Sequence, residues 1–141
     1  MRQFAPSPWV LIIGALLGTA TLVVALSPQA PAPGSEDRIR GKTVRWTWTE
    51  GVVKGVTHEH IFGEDGTVVW RVLDGPQKGH QAKEKEYSAV KVTDDVYAVS
   101  YLAASGNTLT VVLNFRDMSM IGYASNAKNW YPVKGTFQIA K

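Results

Sequence analysis

Cysteine is absent from the chain. That removes a disulfide framework, a thiolate metal site and attachment through a lipidated cysteine. A basic block is absent too: the 15 Lys and Arg are interspersed with 12 Asp and Glu, as in AKEKEYSAVK, and one of the positive charges is Arg2, outside any folded domain. A phosphate backbone finds no electropositive track here, so nucleic acid is not an expected partner. The sequence contains no GxSxG, no P-loop and no GxGxxG, and a serine nucleophile cannot be argued without a placed base and acid. No stretch carries the 3.6-residue period of a long amphipathic helix. With 141 residues there is room for one domain and little more.

The N-terminal part does not read as globular. From Trp9 to Leu26, WVLIIGALLGTATLVVAL, the chain is uncharged and apolar. Its length falls between a secretory apolar core of about 7–15 residues and a spanning helix of about 20. Ala30-Pro31-Ala32 has the small-x-small form of a cleavage site, but the prolines around it restrict the backbone at the scissile bond. Ala32-Pro33-Gly34 before Ser35 is the alternative. Residues 1–26 are therefore expected to be a signal peptide or an N-terminal transmembrane anchor, with the uncleaved helix favoured. Gly14 and Gly18 form a GxxxG pair that would let two such helices approach. In a bacterial source this puts the domain outside the cytoplasmic membrane, periplasmic or membrane-anchored, touching the membrane only through that segment. Residues 27–37, rich in Pro, Ala and Ser, read as an extended linker, and the domain spans 38–141.

From Gly41 onward the period is two. VRWTWT alternates Val44, Trp46 and Trp48 with Arg45, Thr47 and Thr49, and VTHEHIF puts Val56, His58, His60 and Phe62 on one face. GEDG is a hairpin turn with glycine where positive φ is needed, and TVVWRVL is its partner strand. EYSAVKV, VYAVSYLA, TLTVVLNF, MSMIGYAS and KGTFQIA complete eight candidate strands joined mostly by short turns. The expected fold is all-β: an eight-stranded antiparallel up-and-down barrel, wide enough for a filled interior or one small ligand, preceded by the N-terminal hydrophobic helix. A sandwich is the alternative.

The inner parity carries Trp46, Trp48, His58, His60, Trp70, Tyr97 and Tyr101. Indole and phenol rings keep a polar group that needs a partner, so such a set suits a pocket for an aromatic or planar small molecule better than a dry core. The competing reading is that the tryptophans are core. His58 and His60 project together from one strand, the first two ligands of a zinc site, and His80 is the only other histidine. Nothing fixes His80 near them, and Glu64, at the offset of a cupin ligand, falls in the hairpin turn. The two are therefore read as hydrogen-bonding pocket lining, with no metal and no cofactor implied. Glu59 is expected on the outer face as a solvated charge facing Arg71, and Lys83, Glu84, Lys85 and Glu86 as a solvated strand edge.

GKTVRWTWTEG, HIFGEDGTVVWRV, DDVYAVSYLAASGNTLTVVLNF and GYASNAKNWYPVKGTF together resemble the MoaF-like family, named after molybdenum cofactor biosynthesis protein F. The resemblance runs from about Gly41 to Gln138. It implies a calycin, lipocalin-like barrel, distantly similar to the phenolic acid decarboxylases. Those enzymes use tyrosines, an arginine and a glutamate. By that resemblance Trp46, Trp48, His58 and Trp70 stand at tyrosine positions, His80 at the arginine and Ala103 at the catalytic glutamate. Alanine moves no proton, so decarboxylation by that route is not expected, while the aromatic lining is kept. No residue here carries the molybdenum connection of the family name. The function expected is an exported small-molecule-binding barrel; the alternatives are a lyase or isomerase using the pocket histidines, with or without a metal, and an interaction domain with a filled core.

Overall fold

The computed structural model describes residues 37–140. The expected leader, 1–26, and the linker up to residue 36 lie outside them. Among the described residues no helix is long and apolar enough to cross a membrane. The alternating pattern has folded as nine strands: β1 (Thr43–Glu50), β2 (Thr57–Phe62), β3 (Val68–Val72), β4 (Gln81–Glu84), β5 (Ser88–Lys91), β6 (Val96–Leu102), β7 (Thr108–Asn114), β8 (Ser119–Ser125) and β9 (Trp130–Ala140). All lie in one antiparallel sheet of order β4-β3-β2-β1-β9-β8-β7-β6-β5.

Every neighbour in that order is also a neighbour in sequence except β1 and β9. First and last strands are paired along their length, with Trp46 opposite Phe137 and Val44 opposite Ile139. The edges of the sheet are therefore β4 and β5, which follow one another in the chain across only Lys85–Tyr87. Two sheet edges joined by so short a connection must be close in space, so the sheet curls into a half-barrel. Close backbone approach marks the bend. Gly122 and Gly135 have no room for a side chain: a Cβ would overlap the Thr110 carbonyl at the first, and the Thr47 carbonyl and Met120 at the second. Gly66, at the end of the GEDG turn, has φ 84°, as its place in that hairpin requires.

The inner face is the expected one. Val44, Trp46, Phe62, Val68, Val111 and Leu113 are fully buried, with Val99, Met120 and Val133 beside them. Burying apolar area at roughly 25 cal/mol per Å² makes this face the main stabilising element.

Three sequence expectations need correction. Among the described residues there are nine strands and not eight, because Gln81–Glu84, which overlaps the Lys83–Glu86 run read as a solvated strand edge, is a strand of its own paired with β3. Glu84 is not solvated; it is 3% exposed. Its carboxylate accepts the Trp70 indole N–H at 2.9 Å and, across the seam, the backbone N–H of Ala104 at 2.8 Å. Glu59 does lie on the outer face, but it is 2% exposed. It stands between Arg45 and Arg71 on the flanking strands, in register with both. Arg45 Nε donates to it at 2.8 Å and Arg71 forms a second ion pair. Two long side chains laid over one carboxylate exclude water without removing its partners.

No strand ladder joins β4 to β5, so the seam is held by side chains and by Tyr87, whose N–H donates to the Gly66 carbonyl at 2.9 Å and whose hydroxyl donates to that of Gly63 at 3.2 Å. Glu84→Ala strands two donors and is expected to lower stability by about 2 kcal/mol. Glu84→Gln keeps an acceptor oxygen and should lose roughly half as much. Urea unfolding followed by tryptophan fluorescence measures both; equal losses for the two variants contradict the assignment.

Candidate functional site

At one end of the half-barrel the inner face is not filled. A cavity of about 250 Å³ lies there, with walls from β3, the C-terminal ends of β1, β6 and β8 and the N-terminal ends of β2, β7 and β9. Trp48, His58, His60, Trp70 and Tyr101 form its aromatic side; Leu109, Ala124 and Val133 form the apolar side. The rim is made by Val52 and Val53 of the β1–β2 loop and by Ser105 and Asn107 of the β6–β7 turn. The β1–β2 loop is set by a register shift between Trp48 and Glu50, after which the Gly55 N–H returns to the Trp48 carbonyl at 2.8 Å.

Each aromatic group is fixed by a neighbour. Trp48 donates its indole N–H to His58 Nδ1 at 2.9 Å. That bond makes Nδ1 an acceptor, so neutral His58 carries its proton on Nε2. Burial holds the His58 imidazole below its ordinary value of 6.5, only partly opposed by the Asp74 charge. His60 is 1% exposed. Its ring is stacked under Trp46 at 3.8 Å and 20°, and its Nε2 meets the Tyr101 hydroxyl at 3.0 Å. Burial, reinforced by neighbouring His58, holds His60 well below the usual histidine range. Burial also raises the Tyr101 phenol well above its ordinary value of 10, and the Glu84 charge adds to this. Both histidines and the tyrosine are thus neutral near pH 7.

Five of the seven residues singled out in the sequence meet on this cavity: Trp48, His58, His60, Trp70 and Tyr101. Trp46 and Tyr97 do not line it. Trp46, 0% exposed, is the floor beneath His60. Tyr97 is buried lower in the barrel, edge-on to Phe115 at 5.6 Å. Inward parity is shared by the whole length of a strand, whereas only one end of each strand reaches the cavity. His80 is exposed on the loop before β4, and no three His, Asp or Glu among the described residues are grouped to hold a metal. Ala103 lines the cavity. Glu84, which orients Trp70, was hidden in the sequence by the charges around it; the only signal was its shared parity with Ala82.

Three comparisons bear on this geometry. The family model of the MoaF N-terminal domain matches residues 32–129, ending just before β9. No curated protein matches the chain. Among solved structures, the crystal structure of "a putative beta-lactamase from Burkholderia vietnamiensis" superposes with a TM-score of 0.63 at 22% identity, covering 74% of this chain and 97% of that one. At that identity the likeness speaks for the fold alone.

The two depressed histidines tie stability to pH. The unfolded chain takes up protons near 6.5 where the folded one does not, so stability is full above that value and falls as the pH drops through it. The slope from His60 alone approaches about 1.4 kcal/mol per pH unit. Glu59 acts in a lower window. Burial raises its carboxyl, but the hydrogen bonds and charges of Arg45 and Arg71 outweigh this and bring it below 4.5, so its contribution is lost only as the pH falls beneath that value. Thermal melts at about pH 7.5, 6.5 and 5.5 should show a falling midpoint, flattened in His60→Phe. A midpoint constant across that range contradicts the buried neutral histidines.

Proposed function

The chain belongs to the MoaF family, and we propose that its domain binds one small, planar and largely apolar molecule in the cavity at the end of the half-barrel. The observation that carries this is the lining: two indoles, two imidazoles and a phenol converge on a space that aliphatic side chains do not fill. Stacking on such rings contributes about 0.5–1.5 kcal/mol per aromatic pair beyond the area buried, so several together give useful affinity. The volume is below the usual range of about 300–1,000 Å³ for drug-sized ligands. It corresponds to about eight waters at their liquid volume of ~30 Å³, room for a substituted ring.

The same geometry favours binding over histidine catalysis. A general base needs a free lone pair within reach of a substrate: that of His58 Nδ1 is taken by Trp48, and that of His60 Nδ1 is buried. We read the half-barrel as a calycin-type barrel whose last seam is closed by side chains; the sequential hairpins and the Glu84 tie support that reading. We also propose that the domain works outside the cytoplasmic membrane, on the support of the uncharged run from Trp9 to Leu26.

Native mass spectrometry of the full chain purified without added ligand is expected to show a bound organic mass. Ala124→Phe, which fills the cavity from β8, should abolish that adduct while leaving the melting temperature within a few degrees. An adduct that survives the substitution places the ligand elsewhere, and a bare mass with no small molecule raising the melting temperature favours a filled-core interaction domain. For export, protease added to cells with a permeabilised outer membrane should digest the domain; full protection would place it in the cytoplasm.

A further inference from the structure

The hydrogen-bonding capacity of the cavity is one-sided. Trp46 lies flat on His60, so only the edges of that imidazole can bond. Nε2 meets the Tyr101 hydroxyl, while Nδ1 is buried with no partner among the described residues. A proton on Nδ1 would bury an N–H with no acceptor, a rarer arrangement in folded proteins than an unused lone pair. With the proton on Nε2, His60 donates to the Tyr101 oxygen and the phenolic proton stays unspent. His58, its Nδ1 taken by Trp48, likewise has an N–H left on Nε2. Two donors on the cavity wall are thus without an acceptor.

Among the described residues no Lys, Arg, Asp or Glu lines the cavity. The nearest cations of β1 and β3, Arg45 and Arg71, lie on the other face and are paired with Glu59. The fixed charges felt by the lining are negative: Glu84, close enough to Tyr101 to raise its phenol, and Asp74, whose charge acts on His58. A carboxylate or phenolate entering here would leave water for a site without a counter-charge and with an anion behind the wall. A neutral oxygen acceptor meets two donors at no such cost.

We propose that the ligand is a neutral aromatic molecule bearing a carbonyl-type oxygen, which accepts hydrogen bonds from the Tyr101 hydroxyl and His58 Nε2. This rests on the cavity being a binding site, and it narrows that site's ligand class to aromatic aldehydes, ketones, amides or quinones, excluding the corresponding acids. The arrangement also assigns Trp48 a second role: besides stacking, it selects the His58 tautomer that donates.

Three probes of one ring size test it: acetophenone, benzoate and ethylbenzene, titrated into the nitrogen-15-labelled full chain while the indole N–H resonances of Trp48 and Trp70 are followed. Acetophenone should shift both resonances and saturate. Ethylbenzene, which can form neither hydrogen bond, should bind roughly 30-fold more weakly, and Tyr101→Phe, which removes one of the two, should weaken acetophenone by about fivefold while leaving ethylbenzene unchanged. Benzoate should be the weakest of the three. Benzoate equal to or tighter than acetophenone overturns the neutral-carbonyl assignment and leaves the binding site standing, as does ethylbenzene matching acetophenone. If Tyr101→Phe does not fold, the ranking of the three probes on the unaltered chain decides. Failure of all three probes to shift either indole overturns the binding reading and this inference together.

Discussion

A curled sheet whose two edges are not joined by backbone hydrogen bonds must be held at its seam by something else. Here the buried carboxylate of Glu84 does so, beside the anchoring of Tyr87 to the β2–β3 turn. One oxygen takes the Trp70 indole N–H from the neighbouring strand, and the other takes the Ala104 backbone N–H from the far side of the gap. A backbone ladder would have closed the barrel with peptide hydrogen bonds alone. The carboxylate tie instead fixes Trp70, positions the β6–β7 turn and sets a negative charge behind Tyr101. Mouth, wall and electrostatics of the cavity all depend on it.

The molecule buries two glutamates and treats them in opposite ways. Glu59, on the outer face, is neutralised by two arginines, each with close to half of its side chain in solvent. Such a pair needs little desolvation of its cationic side, which is why the outer face can hold it. Glu84, facing inward, is held by two neutral N–H donors. Its charge is solvated by dipoles but not cancelled, so its field extends to Tyr101. The result is a cavity lined by no charged side chain among the described residues and backed by an anion, which is the basis of the proposed neutral ligand. Stacking is tolerant of ligand chemistry, whereas an uncompensated anion is not.

The hydrogen-bond chain along the wall acts in the same direction. Trp48 fixes the tautomer of His58, and His60 meets Tyr101 from beneath. Burial holds both imidazoles below the ordinary histidine value, which favours their neutral forms. The two histidines of this strand are thus held by their neighbours in fixed orientations, while His80 is exposed on the loop before β4.

Period-two alternation sufficed to identify an antiparallel all-β domain, the inward parity of Trp46, Trp48, His58, His60 and Trp70, and the turn at Gly66, because inside-outside alternation and positive φ are local properties of the backbone. Glu59 facing Arg71 was legible for the same reason, since a tight hairpin sets its own register. What parity could not decide was depth. Trp46 and Trp48 share a face, yet one is floor and the other wall, because only the curl of the sheet determines where the interior ends. Nor could it show that Glu84, amid a run of charges, turns inward: its two donors come from Trp70 and Ala104, residues brought to it by the pairing of β3 with β4 and by the approach of β6 across the seam. The chain alone determined which side chains share a face. The tertiary structure decided which of them meet, because the contacts that define the cavity join strands β2 and β6, which are far apart in sequence and become neighbours only once the sheet has curled.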